Sequence, residues 1–200
     1  NTWIEMEWGC TQEKVLSYAR DILAHGYPAG VLMIDDCWCR AYGDWEFDAS
    51  RFPSPKGMVD ELHRMGLKVM LWCCPFVSPD TVIFRSLESN GALVKTEKGD
   101  TALCHWWNGY SAVLDLSCPQ ARDWFYAQTD RLMREYGIDG FKLDAADPEC
   151  YPKDSVFSDG SQRSFQASAW AEIGAKFAFN ELRVGFNSGG LPVANRLRDK

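Results

Sequence analysis

The sequence predicts an α/β chain, a (β/α)8 barrel present as an excerpt of about five to six β/α units. Three observations carry this reading. Apolar runs of strand length recur at Val31-Leu32-Met33-Ile34, at Leu67-Lys68-Val69-Met70-Leu71-Trp72 and at Gly140-Phe141-Lys142-Leu143, as expected of strands buried on both faces. Between them lie segments whose apolar residues are spaced for helices. The runs also finish in acids or an aromatic: Asp35-Asp36, Trp72 and Asp144. Strand and helix in alternation imply a parallel sheet with right-handed crossovers. Closing eight such units takes about 250 residues, more than the 200 of this chain, so it is expected to stop before closure.

Taken from the amino end, residues 1–9 read as a strand, with Trp3, Ile4, Met6 and Trp8 around Glu5 and Glu7. Thr11 caps a helix whose apolar face is Val15, Leu16, Ala19, Ile22 and Leu23, and Gly26 ends it. The strand at 31–36 follows. A polar, aromatic loop over 37–52 leads to Pro53 and Pro55, after which Met58, Val59, Leu62 and Met65 give a short helix stopped by Gly66. The strand at 67–72 comes next. Over about 77–117 the pattern loosens into a short helix at 82–87, a turn at Lys98-Gly99-Asp100, the pair Trp106-Trp107 and a short strand at 112–116. An excursion of this length is where barrel enzymes build substrate pockets. Ser117 and Pro119 open a helix carrying Ala121, Trp124, Phe125, Leu132 and Met133, closed by Gly137. The strand ending in Asp144 follows, then a loop over 145–160, a helix from 161 to about 179, a strand at 182–186 and the start of a sixth strand at 195–200. No internal repeat or linker divides the chain. Residues 1–200 therefore read as the amino-terminal and central part of one barrel, with the substrate-loop region inserted.

Composition excludes some functions. A net charge of −7 argues against nucleic acid or an anionic membrane as the main partner, since both need a basic footprint. No apolar run reaches the length of a membrane span. The nine Trp suit the flat surfaces of carbohydrate sites and also large barrel cores. Cys10, Cys37, Cys39, Cys73, Cys74, Cys104, Cys118 and Cys150 form no Cys-x-x-Cys pair. They read as buried free thiols, which favours a cytoplasmic location, and not as a zinc site or a disulfide scaffold. His25, His63 and His105 are scattered, the first two at helix ends where a cation suits the dipole, so no metal site is expected.

The octet Gly137-Ile138-Asp139-Gly140-Phe141-Lys142-Leu143-Asp144 is where chemistry concentrates. Strand alternation puts Lys142 and Asp144 on one face, at the end of the strand where barrels mount reacting groups. A cation beside a carboxylate favours its charged form, which suits a nucleophile or electrostatic stabiliser. The alternative is a strand-end Asp capping the next turn.

Gly43-Asp44-Trp45-Glu46-Phe47-Asp48, Arg51-Phe52-Pro53, His105-Trp106-Trp107-Asn108-Gly109, Ala112-Val113-Leu114-Asp115, Ala121-Arg122-Asp123-Trp124-Phe125 and Arg183-Val184-Gly185-Phe186 complete a pattern over nearly the whole chain. With the strand ends above, it resembles glycoside hydrolase family 31, and within it a branch of α-galactosidase, α-glucosidase and α-xylosidase type. The resemblance implies a TIM-barrel catalytic domain that hydrolyses α-glycosides with retention, needs no metal or organic cofactor and takes a small carbohydrate substrate. It implies Asp144 as nucleophile and Asp199 as acid/base, with Asp35, Asp36, Trp72, Trp107, Lys142 and Arg183 lining the sugar pocket. Trp106 and Trp107 cannot both face one way in an extended segment, and the resemblance favours Trp107. The branch tilts the sugar toward α-galactosides. One departure stands out: family members commonly carry Gly and Glu at the second and third positions after the nucleophile, where this chain has Ala146 and Asp147. An α-galactosidase of another barrel family and a carbohydrate-binding protein without turnover remain alternatives.

Overall fold

The computed structural model describes residues 1–196. Residues 197–200 lie outside the described residues, and with them Asp199 and most of the expected sixth strand.

The first segment corrects the sequence reading. Residues 3–6 form helix α1 (Trp3–Met6) and residues 7–9 a 3-10 turn, not a strand. Trp3 with Met6, and Ile4 with Trp8, also satisfy spacings of three and four, so a short apolar run cannot decide between the two periods. Thr2 ties this segment to the sheet: its N–H donates to Met33 O at 3.0 Å and its hydroxyl accepts from Asp35 N at 2.9 Å. Helix α2 (Gln12–Ala24) begins at Thr11, whose Oγ1 accepts from Lys14 N, and buries Val15 and Ala19.

After strand β1 (Val31–Ile34) the expected loop is an antiparallel hairpin of β2 (Cys39–Ala41) and β3 (Asp44–Phe47). Gly43 supplies the left-handed turn at φ +84°. The hairpin is held from within: Trp38 stacks on Trp45 at 6.0 Å and meets the tilted Phe47 ring at 4.7 Å. Helix α3 (Pro55–Arg64) starts on proline, buries Met58, Val59 and Leu62, and feeds β4 (Lys68–Cys73).

The looser region carries β5 (Phe76–Val77), α4 (Val82–Ser89), β6 (Lys95–Thr96), β7 (Leu103–Trp106) and β8 (Gly109–Val113). Strands β5, β8 and β7 pair antiparallel into a three-stranded sheet of their own. The strand expected at 112–116 is thus the end of β8, outside the parallel sheet. Helix α5 (Pro119–Tyr136) is closed by Gly137 in the left-handed region, its N–H reaching Met133 O at 3.0 Å.

Strand β9 (Gly140–Leu143) follows, buried at every position. Strand β10 (Ser155–Val156) pairs with β6 and ties the next loop to the inserted region. Helix α6 (Arg163–Gly174) is shorter than expected, and β11 (Phe179–Leu182) lies three residues earlier than the predicted strand at 182–186. Asn180 and Glu181 hide this strand from a hydrophobic pattern, because both are partnered. Asn180 Nδ2 donates to Phe177 O at 2.9 Å, and Glu181 pairs with Arg196 at 3.3 Å. A parallel bridge between Leu182 and Asn195 continues the sheet order beyond β11.

The parallel sheet runs β1-β4-β9-β11. Its register sets Ile34 beside Leu71, Trp72 beside Lys142, and Glu181 beside Lys142. The carboxyl ends are thereby level. At the opposite end Asp139 accepts from Val69 N at 2.9 Å, meets the His63 ring at 2.7 Å and pairs with Lys68 at 3.0 Å. Gly140 and Gly174 mark close approaches: a Cβ on Gly140 would lie 1.9 Å from Phe179 O, and one on Gly174 2.8 Å from Leu143 and Leu182 side chains.

Candidate active site

Because the strand ends are level, the residues just past β1, β4, β9 and β11 converge. They form a cleft of about 450 Å³ lined by Trp3, Trp8, Asp35, Asp36, Trp72, Trp107, Lys142, Asp144, Arg183 and Arg196. That size suits a small ligand. Three carboxyl groups and three cations face each other across it, with tryptophans at the sides.

Asp144 is the most heavily partnered group. Its Oδ2 accepts from Trp72 Nε1 at 2.8 Å and lies 3.5 Å from Lys142 Nζ. Its Oδ1 accepts from Ala145 N at 2.9 Å and Arg196 Nη2 at 3.1 Å, with Arg183 Nη1 at 3.9 Å. The main chain is anchored as well, Asp144 N on Cys73 O at 2.8 Å and Asp144 O on Trp170 Nε1 at 3.1 Å. Immediately afterwards Ala145 and Ala146 both adopt positive φ, +59° and +63°. Non-glycine residues rarely hold this conformation, and its strain is characteristic of functional turns. The turn ends at Asp147, whose two oxygens lie 3.1 and 3.2 Å from Arg183 Nε. The Arg183 guanidinium in turn sits 5.0 Å from the Trp107 ring centre, a cation–π contact.

Lys142 binds Asp35 at 2.8 Å, both side chains being almost wholly buried. Asp35 also accepts from Asp36 N at 2.8 Å. Asp36 takes Cys37 N at 2.6 Å and the Tyr42 hydroxyl at 3.2 Å to each oxygen. Burial pushes the Asp36 carboxyl up to about 6, against the pull of those hydrogen bonds, and the neighbouring Asp35 charge adds to the rise. Trp72 is fixed from behind by Trp38 Nε1, which donates to Trp72 O at 2.8 Å.

The structure therefore brings together Asp35, Asp36, Trp72, Trp107, Lys142, Asp144 and Arg183, while Asp199 lies outside the described residues. Trp106 is buried and Trp107 is about half exposed at the cleft. Sequence reasoning missed Trp3, Trp8 and Arg196 as cleft residues. Arg196 had a usable signal, since it sits at the start of the expected sixth strand, and the structure pairs that start with the end of β11; the two tryptophans were hidden by the strand assignment of their segment. The cysteines are free thiols. Among the described residues no cluster of His, Cys, Asp or Glu could hold a metal ion, and no helix is long and apolar enough to cross a membrane.

A parallel β/α sheet that gathers acids, cations and aromatic rings in a cleft at its carboxyl edge has the layout on which (β/α) barrels mount their functional sites. The chain belongs to glycoside hydrolase family 31: the model of the "Glycosyl hydrolases family 31 TIM-barrel domain" matches residues 2–175. It is 34% identical over 203 residues to the myogenesis-regulating glycosidase of Mus musculus, an alignment covering all of this chain and 28% of that protein. Among solved structures it is similar to a family 31 α-xylosidase from a soil metagenome complexed with xylose, at 27% identity and TM-score 0.74, over 92% of this chain and 28% of that one. It also shares its fold with a family 31 sulfoquinovosidase from E. rectale in complex with an aza-sugar inhibitor, at TM-score 0.82 and 19% identity, over 96% of this chain and 32% of that one. The chain thus spans about a third or less of each of these relatives.

Proposed function

We propose that the protein carrying this chain is a retaining α-glycoside hydrolase acting by double displacement on the non-reducing end of small α-linked saccharides, with α-galactosides preferred. In this reading residues 1–200 are the amino-terminal and central part of its catalytic barrel, with residues 77–117 as the substrate-loop region. The observation that carries it is Asp144: a buried strand-end carboxylate facing an open cleft, surrounded by Lys142, Arg183 and Arg196 and steered by Trp72 Nε1. A carboxylate so placed has the reach and the open face that attack on a bound ligand requires.

The residues divide the work as follows. Asp144 Oδ attacks the anomeric carbon as Asp199 passes its proton to the leaving oxygen, giving a covalent glycosyl ester. Water then attacks that carbon, Asp199 takes its proton, and Asp144 is released as the free carboxylate. The assignment of Asp199 comes from the family resemblance, and it requires a carboxyl separation of about 5 to 5.5 Å. Asp35, Asp36 and Arg183 bind sugar hydroxyls, Trp72 and Trp107 supply flat walls, and Lys142 bridges Asp35 and Asp144. The preference for galactose rests on the branch of the family that the sequence resembles; the relatives' names include xylosidase and sulfoquinovosidase.

The test is Asp144→Ala in the whole protein, assayed on aryl α-galactosides, α-glucosides and α-xylosides. Turnover of the preferred sugar is expected to fall by about four orders of magnitude or more. Undiminished turnover rejects the nucleophile, and release of the inverted anomer by the unaltered protein rejects double displacement.

A further inference from the structure

Arg183 is held by two residues from different parts of the chain. Asp147 takes its Nε at 3.1 to 3.2 Å from the loop after β9, and Trp107 faces its guanidinium at 5.0 Å from the β7–β8 turn of the inserted region. The separation of these two holders fixes where the guanidinium lies beside Asp144, whose Oδ1 is 3.9 Å from Nη1. Whatever fastens the loop to the insertion therefore aims Arg183.

Main-chain links join the two segments at an exposed edge, where β10 pairs with β6 and Glu97 N donates to Asp154 O at 3.0 Å. Asp115 joins them from inside, with only 1% of its surface exposed. Its Oδ1 accepts from Ser117 N at 3.0 Å and from the Ser117 hydroxyl; its Oδ2 accepts from Ser158 N at 2.7 Å and from the Ser158 hydroxyl. One oxygen thus belongs to the insertion and the other to the loop.

Both sides of this clamp run on to the holders of Arg183. Asp115 lies two residues beyond β8, its N–H fixed on Ala92 O at 2.9 Å, and β8 starts at the turn that carries Trp107. Ser158 follows Phe157, whose ring meets the buried Tyr151 ring edge-on at 5.8 Å. Tyr151 follows the 3-10 turn Pro148–Cys150, in which Cys150 N returns to Asp147 O at 2.9 Å.

We propose that Asp115 is a positioning residue of the active site: by joining Ser158 to Ser117 it sets the separation of Asp147 and Trp107, and so the placing of Arg183 in the cleft. The assignment rests on the glycosidase reading above and adds to it a residue that does not itself line the cleft.

The experiment is a double-mutant cycle in the whole protein, assayed on the aryl α-glycoside that it turns over best. An asparagine amide keeps one acceptor oxygen and turns a donor on the second pair of N–H and hydroxyl groups. Asp115→Asn is expected to lower kcat/KM about tenfold, through KM, and by less than about twofold once Asp147→Ala is present, because the loss passes through the Asp147–Arg183 pair. Ser158→Ala removes only an exposed hydroxyl, so it serves even where Asp115→Asn fails to fold; about a threefold loss is expected, again vanishing beside Asp147→Ala. Equal losses with and without Asp147→Ala, or undiminished turnover in the folded single variants, make Asp115 a purely structural clamp and overturn the proposal. An unaltered protein that turns over no aryl α-glycoside removes the glycosidase reading instead, and this role with it.

Discussion

Lys142 Nζ lies 2.8 Å from Asp35 Oδ2 and 3.5 Å from Asp144 Oδ2, so one buried ammonium joins the ends of β1 and β9 across the intervening β4. Removing it leaves two buried carboxyl groups sharing a space without their common cation. Lys142→Met is therefore expected to cost about 3 to 5 kcal/mol of stability at neutral pH, the usual penalty for orphaning one side of a buried pair. Urea unfolding measures it, and a loss below about 1 kcal/mol would mean that the pair is not buried in solution as described.

Asp36 gives a prediction in pH. Its carboxyl is raised from 3.8 to about 6 by burial, so between those values the folded chain holds a proton that the unfolded chain has released. The folded state binds more protons in that window, and stability falls as pH rises through it, by about 3 kcal/mol in all, then levels off. Asp36→Asn keeps the shape and lacks the titration. Unfolding free energies of the two proteins measured from pH 4 to pH 7 should diverge along this slope; parallel curves contradict it.

Asp147 holds Arg183 Nε at 3.1 to 3.2 Å, and Arg183 leans over Trp107 toward Asp144. Asp147→Ala should release the guanidinium and raise KM, lowering kcat/KM by about 10- to 100-fold. Asp147→Glu, which keeps the charge, should recover most of the loss. Failure of the glutamate variant to recover, with an unaltered melting temperature, would point to the strained Ala145-Ala146 turn rather than to the ion pair.

Gly140 has no room for a side chain, since an added Cβ would meet the Phe179 carbonyl at 1.9 Å. That atom belongs to the paired strand β11 and cannot turn aside. Gly140→Ala should destabilise the protein by about 3 kcal/mol or more. A thermal midpoint within a degree or two of the unaltered protein would show that β9 and β11 are less closely apposed.

Much of this arrangement was legible in the sequence, where a residue's neighbours along the chain decide its fate. Thr11 and Gly137 mark helix ends through local backbone chemistry, and helices α2, α3 and α5 follow. The buried runs of β1, β4 and β9 show because strands covered on both faces are continuously apolar. The rest depended on distant partners. Asn180 and Glu181 look unfit for a buried strand until Phe177 O and Arg196 are seen beside them. The β2–β3 hairpin is polar on one side and stabilised by Trp38 from within, a pattern easily taken for a loop. Of the site, the strand-end residues Asp35, Trp72 and Asp144 were found by position. Trp8 was not, because its segment reads as a strand by alternation and folds as a short helix and 3-10 turn that turns it to the cleft.

Strand β9 has an acid just beyond each end. Asp139, at the entry, is consumed by Val69 N, His63 and Lys68; Asp144, at the exit, looks into the cleft. One rim is thereby a fastening and the other a workbench. Substitutions that retune which molecule is accepted can accumulate on the exit side without loosening the fastening, so divergence in this protein and its kin should be confined to one edge of the sheet.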